Sequence, residues 1–317
     1  MILVLRALGV GDLATGVPAL RALRAAHPAE PLVLAAPASL APLVALVGGV
    51  DRLVDTPDPA SVRLPGPAPR LAVNLHGRGP QSHRALAALG SGRLLAFAND
   101  EVGFAGGPEW DEDEHEVDRW CRLLVSYGIR ADRRDLALRR PPESGMPVGV
   151  TVLHPGSKIT AKRWPADRFA ALARGLAERG HRVVLTGTAG ERGLAARVAA
   201  AAGLPTEAVL AGRTGLGELA ALVADARVVV SGDTGVAHLA TGYGTPSVVL
   251  FGPVPPDRWG PPPDRPRHRV IWAGSRDWPR WDGVGSHPSL LALGVEEVSA
   301  AVDEVERVVR ESGAVAA

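Results

Sequence analysis

The chain has 317 residues and a mass of 32.9 kDa, enough for two domains of about 150 residues each. Its 35 Lys and Arg residues against 34 Asp and Glu give a formal net charge of +1, which excludes a general polyanion binder that coats nucleic acid. A single cysteine, Cys121, excludes an intramolecular disulfide framework and fits a reducing compartment. No apolar stretch reaches the roughly 18 residues of a membrane span, so we expect a cytoplasmic protein, and peripheral attachment to a membrane face stays open.

Short apolar runs alternate with segments of helical periodicity along the chain. The predicted strands are 2–5, 31–36, 51–54, 71–75, 150–153, 182–185, 227–230 and 247–251. The predicted helices are 17–26, 166–179, 191–202, 217–224 and 295–310. Alternating β and α units of this length predict an α/β protein, with parallel sheets covered by helices on both faces.

A polar, proline-rich connector at 139–147 divides these elements into two sets. We predict domains at 1–143 and 148–294, followed by a C-terminal helix at 295–317 that can pack back towards the N-terminal domain. A second proline-rich stretch, 253–266, is predicted to be an ordered loop without helix or strand. Tandem domains of this type hold a ligand in a cleft near the carboxyl ends of their strands.

Glycines follow the first predicted strand and precede a helix, a place where a ligand can approach the backbone closely. Gly9 and Gly11 lack the third glycine of the dinucleotide fingerprint, because Ala14 stands at that position. Asp12 then has two interpretations, the N-cap of the helix or a carboxylate at the cleft that acts as a general base.

A second polar segment, 74–84, concentrates basic and amide side chains at the end of another predicted strand. It is either a polar surface loop or a loop that offers donors to substrate hydroxyls and anionic groups. Its candidate acceptor-binding residues are His76, Arg78, Gln81 and His83. A metal site is rejected here, since the two histidines have no third ligand nearby.

The third segment, 154–165, holds both lysines of a chain whose other 33 basic residues are arginines. An ammonium and a guanidinium are not equivalent at a phosphate, so the placement of Lys158 and Lys162 favours a binding role over a solvated charged loop. With Ser157 they form an anion cradle that lacks the order of a Walker loop.

The fourth segment, 231–240, follows a strand and opens a helix. The amides of Thr234 and Gly235 would point out of the helix N-terminus, which can bind a pyrophosphate. Asp233 is otherwise explained as an N-cap, and His238 as a buried helix residue.

Taken together, these segments resemble glycosyltransferase family 9, the bacterial heptosyltransferase-like enzymes. The most specific match runs from Asp233 to Ala240, then through Gly244-Thr245-Pro246 to Phe251-Gly252-Pro253. The other matches are Gly11-Asp12 with 18–21, Lys162-Arg163-Trp164-Pro165 with Phe169, and His115-Glu116-Val117.

The resemblance implies a GT-B fold, in which two Rossmann-like domains face a cleft. It also implies inverting transfer from a nucleotide diphosphate sugar, with ADP-heptose favoured, to the hydroxyl of a glycan or small-molecule acceptor. No metal or other cofactor is expected. The N-terminal domain would bind the acceptor and the C-terminal domain the donor, and we expect a monomer.

The same resemblance assigns individual roles. Asp12, beside Gly11, would remove the proton of the acceptor hydroxyl, and Lys162 would neutralise charge on the departing pyrophosphate. The donor pocket would comprise Ser157, Lys158, Glu191 at the ribose, Thr214 near the nucleoside, Asp233, Thr234, Gly235 and His238.

Three alternatives are weighed against this prediction. A nucleotide-sugar 2-epimerase has the same two-domain architecture, but the motif at 162–165 argues against it. A non-catalytic sugar-nucleotide-binding protein would not need both Asp12 and Lys162. An NAD-dependent dehydrogenase would need the missing third glycine and an acidic residue after the second strand.

Overall fold

A computed structural model of the protein describes residues 1–276, 281 and 283–315. The chain divides between Arg139 and Arg140, at the start of the proline-rich connector, into two compact units. Within the described residues each unit contains one five-stranded sheet, and all strand pairings in both sheets are parallel.

The sheet of the first unit has the strand order β3-β2-β1-β4-β5. Its strands are β1 (Ile2–Leu5), β2 (Leu32–Ala36), β3 (Arg52–Asp55), β4 (Leu71–Asn74) and β5 (Leu94–Leu95). The helices of this unit are α1 (Val10–Thr15), α2 (Val17–Ala26), α3 (Ala41–Val47), α4 (Gln81–Ala87) and α5 (Glu116–Ser126).

The sheet of the second unit has the order β10-β9-β8-β6-β7. Its strands are β6 (Thr151–His154), β7 (Val183–Leu185), β8 (Val228–Gly232), β9 (Ser247–Phe251) and β10 (His268–Trp272). Its helices are α6 (Ala166–Glu178), α7 (Arg192–Ala202), α8 (Leu216–Ala224), α9 (Gly235–Tyr243), α10 (Pro256–Trp259), α11 (Pro288–Leu291) and α12 (Val295–Val315).

The central strands are buried along their whole length, because helices cover both faces of each sheet. Every residue of β1, β6 and β8 is buried, and each large apolar side chain removed from water stabilises the fold by about 2 kcal/mol. Helix α12 contacts α6, β8, β9 and β10, and therefore completes the core of the second unit.

All eight predicted strands are present, with bounds that differ by at most two residues. The sequence did not predict β5, which has two residues, or β10, whose first two residues are the polar His268 and Arg269. The prediction that 253–266 contains no helix was wrong, because α10 forms one turn there with Pro256 at its first position. The glycine-containing segment after β1 is helical from Val10 onward.

Several histidines are held in the uncharged form by burial. The clearest case is His268, whose Nδ1 forms a hydrogen bond of 2.9 Å with Ser247 Oγ. Burial, assisted by the charges of Arg265 and Arg267, lowers the pKa of His268 to about 4. The unfolded chain therefore takes up a proton between pH 6.5 and 4 that the folded chain does not.

We predict that the free energy of unfolding falls as the pH is lowered through this interval, and that His268→Gln makes the fall shallower. The histidine accounts for at most about 3 kcal/mol of the loss. Urea unfolding at pH 7, 5.5 and 4.5 measures the effect. If the free energy of unfolding falls equally steeply with pH in the parent protein and in His268→Gln, the prediction is wrong.

Candidate active site

In the first unit, the candidate general base lies just beyond the carboxyl end of a central strand. Helix α1 begins five residues after the end of β1, and Asp12 is its third residue. Gly9 is the N-cap, so the interpretation of Asp12 as N-cap was wrong in position. The carboxylate nevertheless caps the helix, because its Oδ2 accepts the Gly9 N–H at 3.0 Å. Its Oδ1 has no hydrogen-bond partner within the part of the chain that the structure describes.

A buried arginine, which the sequence did not single out, lies beneath this turn. The Arg6 side chain is fully buried and donates from Nε to the Asp12 carbonyl oxygen at 2.5 Å. Its Nη2 donates to Thr15 Oγ1 and to Glu116 Oε1, both at 3.1 Å, and Nη1 donates to the Leu75 carbonyl oxygen. The sequence did contain one signal for Arg6. It is a charged residue that directly follows the wholly apolar strand β1, and a charged side chain in that position needs a buried partner.

The charged partner of Arg6 is Glu116, which belongs to the segment 115–117 that resembles the family. Glu116 opens α5, and its carboxylate also accepts Trp120 Nε1 at 2.8 Å and a short hydrogen bond from Arg119 Nη1. Charges in such a position need full pairing, since an unpaired buried charge is very costly. The Glu116 carboxylate thus pairs with buried side chains inside the first unit.

The predicted acceptor loop separates into interior and surface residues. His83 is 2% exposed, and its ring nitrogens engage Asn74 Nδ2 and the Phe97 carbonyl at 3.2 and 2.9 Å. Both ring nitrogens of His83 are therefore engaged inside the first unit, whereas the sequence predicted that this residue contacts the acceptor. His76 is only partly buried, and its Nδ1 is a buried polar atom that has no hydrogen-bond partner among the described residues.

Burial is the main cause that lowers the pKa of His76, and the positive charge of Arg6 adds to it. The carboxylates of Asp12 and Asp58 oppose the shift. His76 therefore lies in the same electrostatic environment as Asp12, as expected from the register that pairs Leu5 of β1 with Asn74 of β4.

Two further loop residues reach the surface. Arg78 is exposed and donates to Glu112 Oε1 at 2.8 Å, and such an exposed pair contributes little to stability. Gln81 is exposed and forms the first residue of α4, so part of the predicted loop is helical.

In the second unit, the sheet brings the third and fourth segments together. Strands β6 and β8 are neighbours, with His154 opposite Ser231, so the segments that follow them share one edge. Lys162 Nζ donates to Asp233 Oδ2 at 2.6 Å, and both side chains are largely buried. His238 lies on the other side of this carboxylate, with Nε2 3.9 Å from Asp233 Oδ1.

The helix N-terminus beside this pair carries an unsatisfied donor. Thr234, rather than Asp233, is the N-cap of α9, and its side chain makes no capping hydrogen bond. Thr234 Oγ1 is buried without a hydrogen-bond partner in the described ranges. The hydroxyl and the first amides of α9, that of Gly235 included, form a donor set suited to phosphate oxygens.

Hydrogen bonds between its own residues hold the loop that carries the two lysines. Arg163 donates from Nε and Nη2 to the Ser157 carbonyl oxygen at 2.8 and 2.6 Å. Ser157 is buried, whereas Lys158 is exposed. A Cβ atom on Gly232 would lie 2.9 Å from the Lys162 carbonyl oxygen, so the turn at 160–162 rests directly on the end of β8.

Glu191 lies at the next position along the same edge. Its Oε2 accepts the backbone N–H and the hydroxyl of Thr188 at 2.8 and 2.9 Å. Its carboxylate also fills the space beside Gly156, where a Cβ atom would lie 2.3 Å from Glu191 Oε1. Thr214 follows a loop whose Gly212 N–H donates to the Gly187 carbonyl oxygen at 2.9 Å, which carries Thr214 towards the same edge of β7.

The described ranges contain neither a metal cluster nor a membrane-spanning helix. No group of three or more His, Cys, Asp or Glu residues in them is arranged to hold a metal ion. None of the helices in those ranges combines the length and the apolar character needed to cross a bilayer.

Comparison with known proteins gives a consistent result. Residues 111–279 match the model of glycosyltransferase family 9 (heptosyltransferase). Lipopolysaccharide heptosyltransferase 2 of Escherichia coli K12 is 30% identical over 187 residues, which are 56% of this chain and 51% of that protein. Lipopolysaccharide heptosyltransferase 1 of Pseudomonas aeruginosa is 41% identical over 156 residues, 45% of this chain and 41% of that protein. The chain thus spans about half the length of the curated relatives it matches.

The fold agrees over a longer range. The structure of E. coli ADP-heptose lps heptosyltransferase II superposes with a TM-score of 0.76 at 23% identity, and the match covers 98% of this chain and 99% of that one. The predicted fold class, two Rossmann-like parallel sheets of the GT-B type, is confirmed.

The pairing of Lys162 with Asp233 generates a stability prediction. Lys162→Met leaves the Asp233 carboxylate buried without its cation and lowers the free energy of unfolding by about 2 kcal/mol. Adding Asp233→Asn to that variant removes the unpaired charge and restores most of the loss. Urea unfolding of the two single variants and the double variant measures the coupling. Simple addition of the single effects would show that the pair does not interact.

Proposed function

The chain belongs to glycosyltransferase family 9, and from that premise we propose that it transfers a sugar from a nucleotide diphosphate donor to an acceptor hydroxyl. The observation that carries the proposal is the Lys162–Asp233 pair at the N-terminus of α9, beside the unsatisfied Thr234 hydroxyl. This is a compact set of donors at the carboxyl edge of a parallel sheet, where such folds bind ligands.

In this proposal the second unit holds the donor. The pyrophosphate lies against Lys162, the Thr234 hydroxyl and the amides of α9, with Ser157 and Lys158 on the adjoining loop. Asp233 holds the Lys162 ammonium in place, so the cation is positioned before the donor arrives. Preorganised donors of this kind stabilise a departing anion by several kcal/mol. Glu191 takes the ribose hydroxyls through the carboxylate oxygen that Thr188 leaves free, with Thr214 near the base and His238 beside Asp233.

The first unit supplies the base and the acceptor contacts. Asp12 removes the proton of the acceptor hydroxyl, and the oxygen attacks the anomeric carbon. The bond from that carbon to the phosphate oxygen breaks, and its electron pair leaves with the nucleoside diphosphate. One displacement of this kind inverts the anomeric configuration, and no covalent sugar–enzyme intermediate forms. Gly11, His76, Arg78 and Gln81 are the proposed acceptor contacts.

The names of the relatives favour heptose as the transferred sugar and a lipopolysaccharide-type glycan as acceptor. The structurally similar E. coli enzyme is an ADP-heptose heptosyltransferase, which favours ADP-heptose as donor. A metal is not required in this proposal, since Lys162 and the α9 N-terminus take the role that a divalent cation would otherwise have. We further propose a monomer in the cytoplasm.

A donor screen tests the function. Purified protein is incubated with ADP-heptose, UDP-glucose, GDP-mannose or dTDP-glucose in the presence of EDTA, and thermal shift and nucleoside diphosphate release are recorded. We expect ADP-heptose to bind, with transfer to a glycan acceptor and inversion visible by NMR. Release of an isomerised sugar without acceptor would instead identify an epimerase, and binding without turnover under all conditions would identify a binding protein.

Replacement of the proposed base separates chemistry from binding. We expect Asp12→Asn to lower kcat by at least about 100-fold, because the acceptor hydroxyl loses its proton acceptor, while the Kd for ADP stays unchanged. Asp55→Asn is the matched control, since Asp55 ends the nearby strand β3 and caps a turn through the Ala38 N–H at 2.8 Å. Normal turnover in Asp12→Asn would remove this residue from the base role.

The two lysines are expected to differ in their effect on the donor. Lys162→Met should weaken ADP binding by about 10- to 100-fold, because it removes a charge-assisted contact to the pyrophosphate. Lys158→Met should cause a smaller loss, since that side chain is exposed and not held by a carboxylate. Isothermal calorimetry with ADP and AMP decides the matter, and equal affinity of the parent protein and Lys162→Met would contradict the donor assignment.

A further inference from the structure

We propose that Arg6 is the positioning residue for the base Asp12, and that Glu116 keeps its guanidinium fixed by compensating its charge. This inference rests on the role proposed for Asp12. It adds a function for a buried guanidinium that touches neither substrate, and it explains why the segment 115–117 belongs to the same set of motifs as Gly11-Asp12.

The first argument is the set of atoms that Arg6 joins. One guanidinium donates to the Asp12 carbonyl oxygen in α1, to Thr15 at the end of the same helix and to Leu75 directly after β4. The Asp12 carbonyl also accepts from Thr15 Oγ1 at 3.0 Å and from the Gly16 N–H at 3.1 Å. The backbone that carries the base is thereby fixed to the two central strands of its sheet.

The second argument is steric. Gly16 has φ −82°, which any residue can adopt, so backbone conformation does not require glycine there. A Cβ atom at this position would lie 2.9 Å from Arg6 Nε and 3.1 Å from Arg6 Cδ. Glycine at position 16 therefore provides the space for the Arg6 side chain immediately after the helix that holds Asp12.

The third argument is charge. Arg6 is compensated by Glu116 Oε1 at 3.1 Å and lies over the Trp120 ring, with its Cζ 4.8 Å from the ring centroid. Arg119 binds the other oxygen of the same carboxylate, so the cluster of two guanidinium groups and one carboxylate keeps a net positive charge. The charge of Arg6 lies close enough to the site to add to the effect of burial in lowering the pKa of His76.

Arg119 provides a matched control for the test. It is buried, binds Glu116 and stacks on Trp110 with its Cζ 4.2 Å from the ring centroid, but its other bonds go to the carbonyls of Asp111 and Glu114. Lysine at either position keeps the charge and loses the planar fork. Both variants should lose similar stability, and only Arg6→Lys should misplace Asp12.

We expect Arg6→Lys to lower kcat by about 10- to 100-fold with little change in the KM for the donor, because a small misplacement of a catalytic group is enough for such a loss. Arg119→Lys should stay within about threefold of the parent kcat. Gly16→Ala is a second route to the same result, since it keeps Arg6 and displaces its side chain. Equal kcat values for folded Arg6→Lys and Arg119→Lys would overturn the inference.

A readout that needs no turnover keeps the test independent of the proposed function. The Gly9 N–H donates to Asp12 Oδ2, so its amide resonance reports the position and ionisation of that carboxylate. Protein labelled with [15N]glycine is titrated from pH 7 to 3, with the Gly9 resonance assigned from Gly9→Ala. We expect the pH-dependent shift of Gly9 to be lost or displaced in Arg6→Lys and Gly16→Ala, and kept in Arg119→Lys.

Failure of the base role proposed for Asp12 can be distinguished from failure of the positioning role proposed for Arg6. If Asp12→Asn is active, the proposed base is wrong, whatever the Gly9 titration shows. If Asp12→Asn is inactive while the Gly9 titration of Arg6→Lys equals that of the parent protein, the base stands and the positioning role of Arg6 is refuted.

Discussion

A charge that is withdrawn from water needs a partner, and this requirement shapes both units of the protein. In each unit an ion pair lies at the carboxyl edge of a parallel sheet: Arg6 with Glu116 in the first, Lys162 with Asp233 in the second. The parallel topology brings loops from neighbouring strands to one edge, and the ion pairs then join residues that are 110 and 71 positions apart in the sequence. The positions of the Asp12 backbone and of the Lys162 ammonium follow from these two contacts.

The two pairs differ in what they leave available. Arg6 is fully enclosed and, in the role inferred for it, acts on Asp12 through the backbone atoms that it contacts. Lys162 keeps 19% of its side chain exposed and can add an anion to its existing carboxylate partner. The family match at 111–279 includes Glu116 and the whole set of donor-side residues, whereas Asp12 and Arg6 lie outside it. Assignments in the first unit therefore depend more on the side-chain geometry of this chain itself.

Hydrophobic periodicity was enough to predict the central strands, because a strand buried on both faces reads as a continuous apolar run. It failed for β10, where His268 and Arg269 leave an apolar run of only three residues at the sheet edge, and for the one-turn helix at Pro256. The motifs located both candidate regions, but single residues were harder to assign. His83 carries the same donors as a binding histidine, and only its tertiary contacts with Asn74 and Phe97 reveal that both ring nitrogens are already used. Arg6 was missed for the converse reason, since its partner is distant in sequence.

The loop of the second unit that carries both lysines is fastened to residues more than a hundred positions further along the sequence. Trp164 Nε1 and Arg168 Nη1 donate to the Leu293 carbonyl oxygen at 3.1 and 2.6 Å, and the His287 N–H donates to Ala161 at 3.1 Å. During translation the loop leaves the ribosome more than a hundred residues before these anchors do. A nascent chain therefore carries both lysines before it carries the backbone atoms that hold their loop, and the loop can take its final form only after residue 293 has been made.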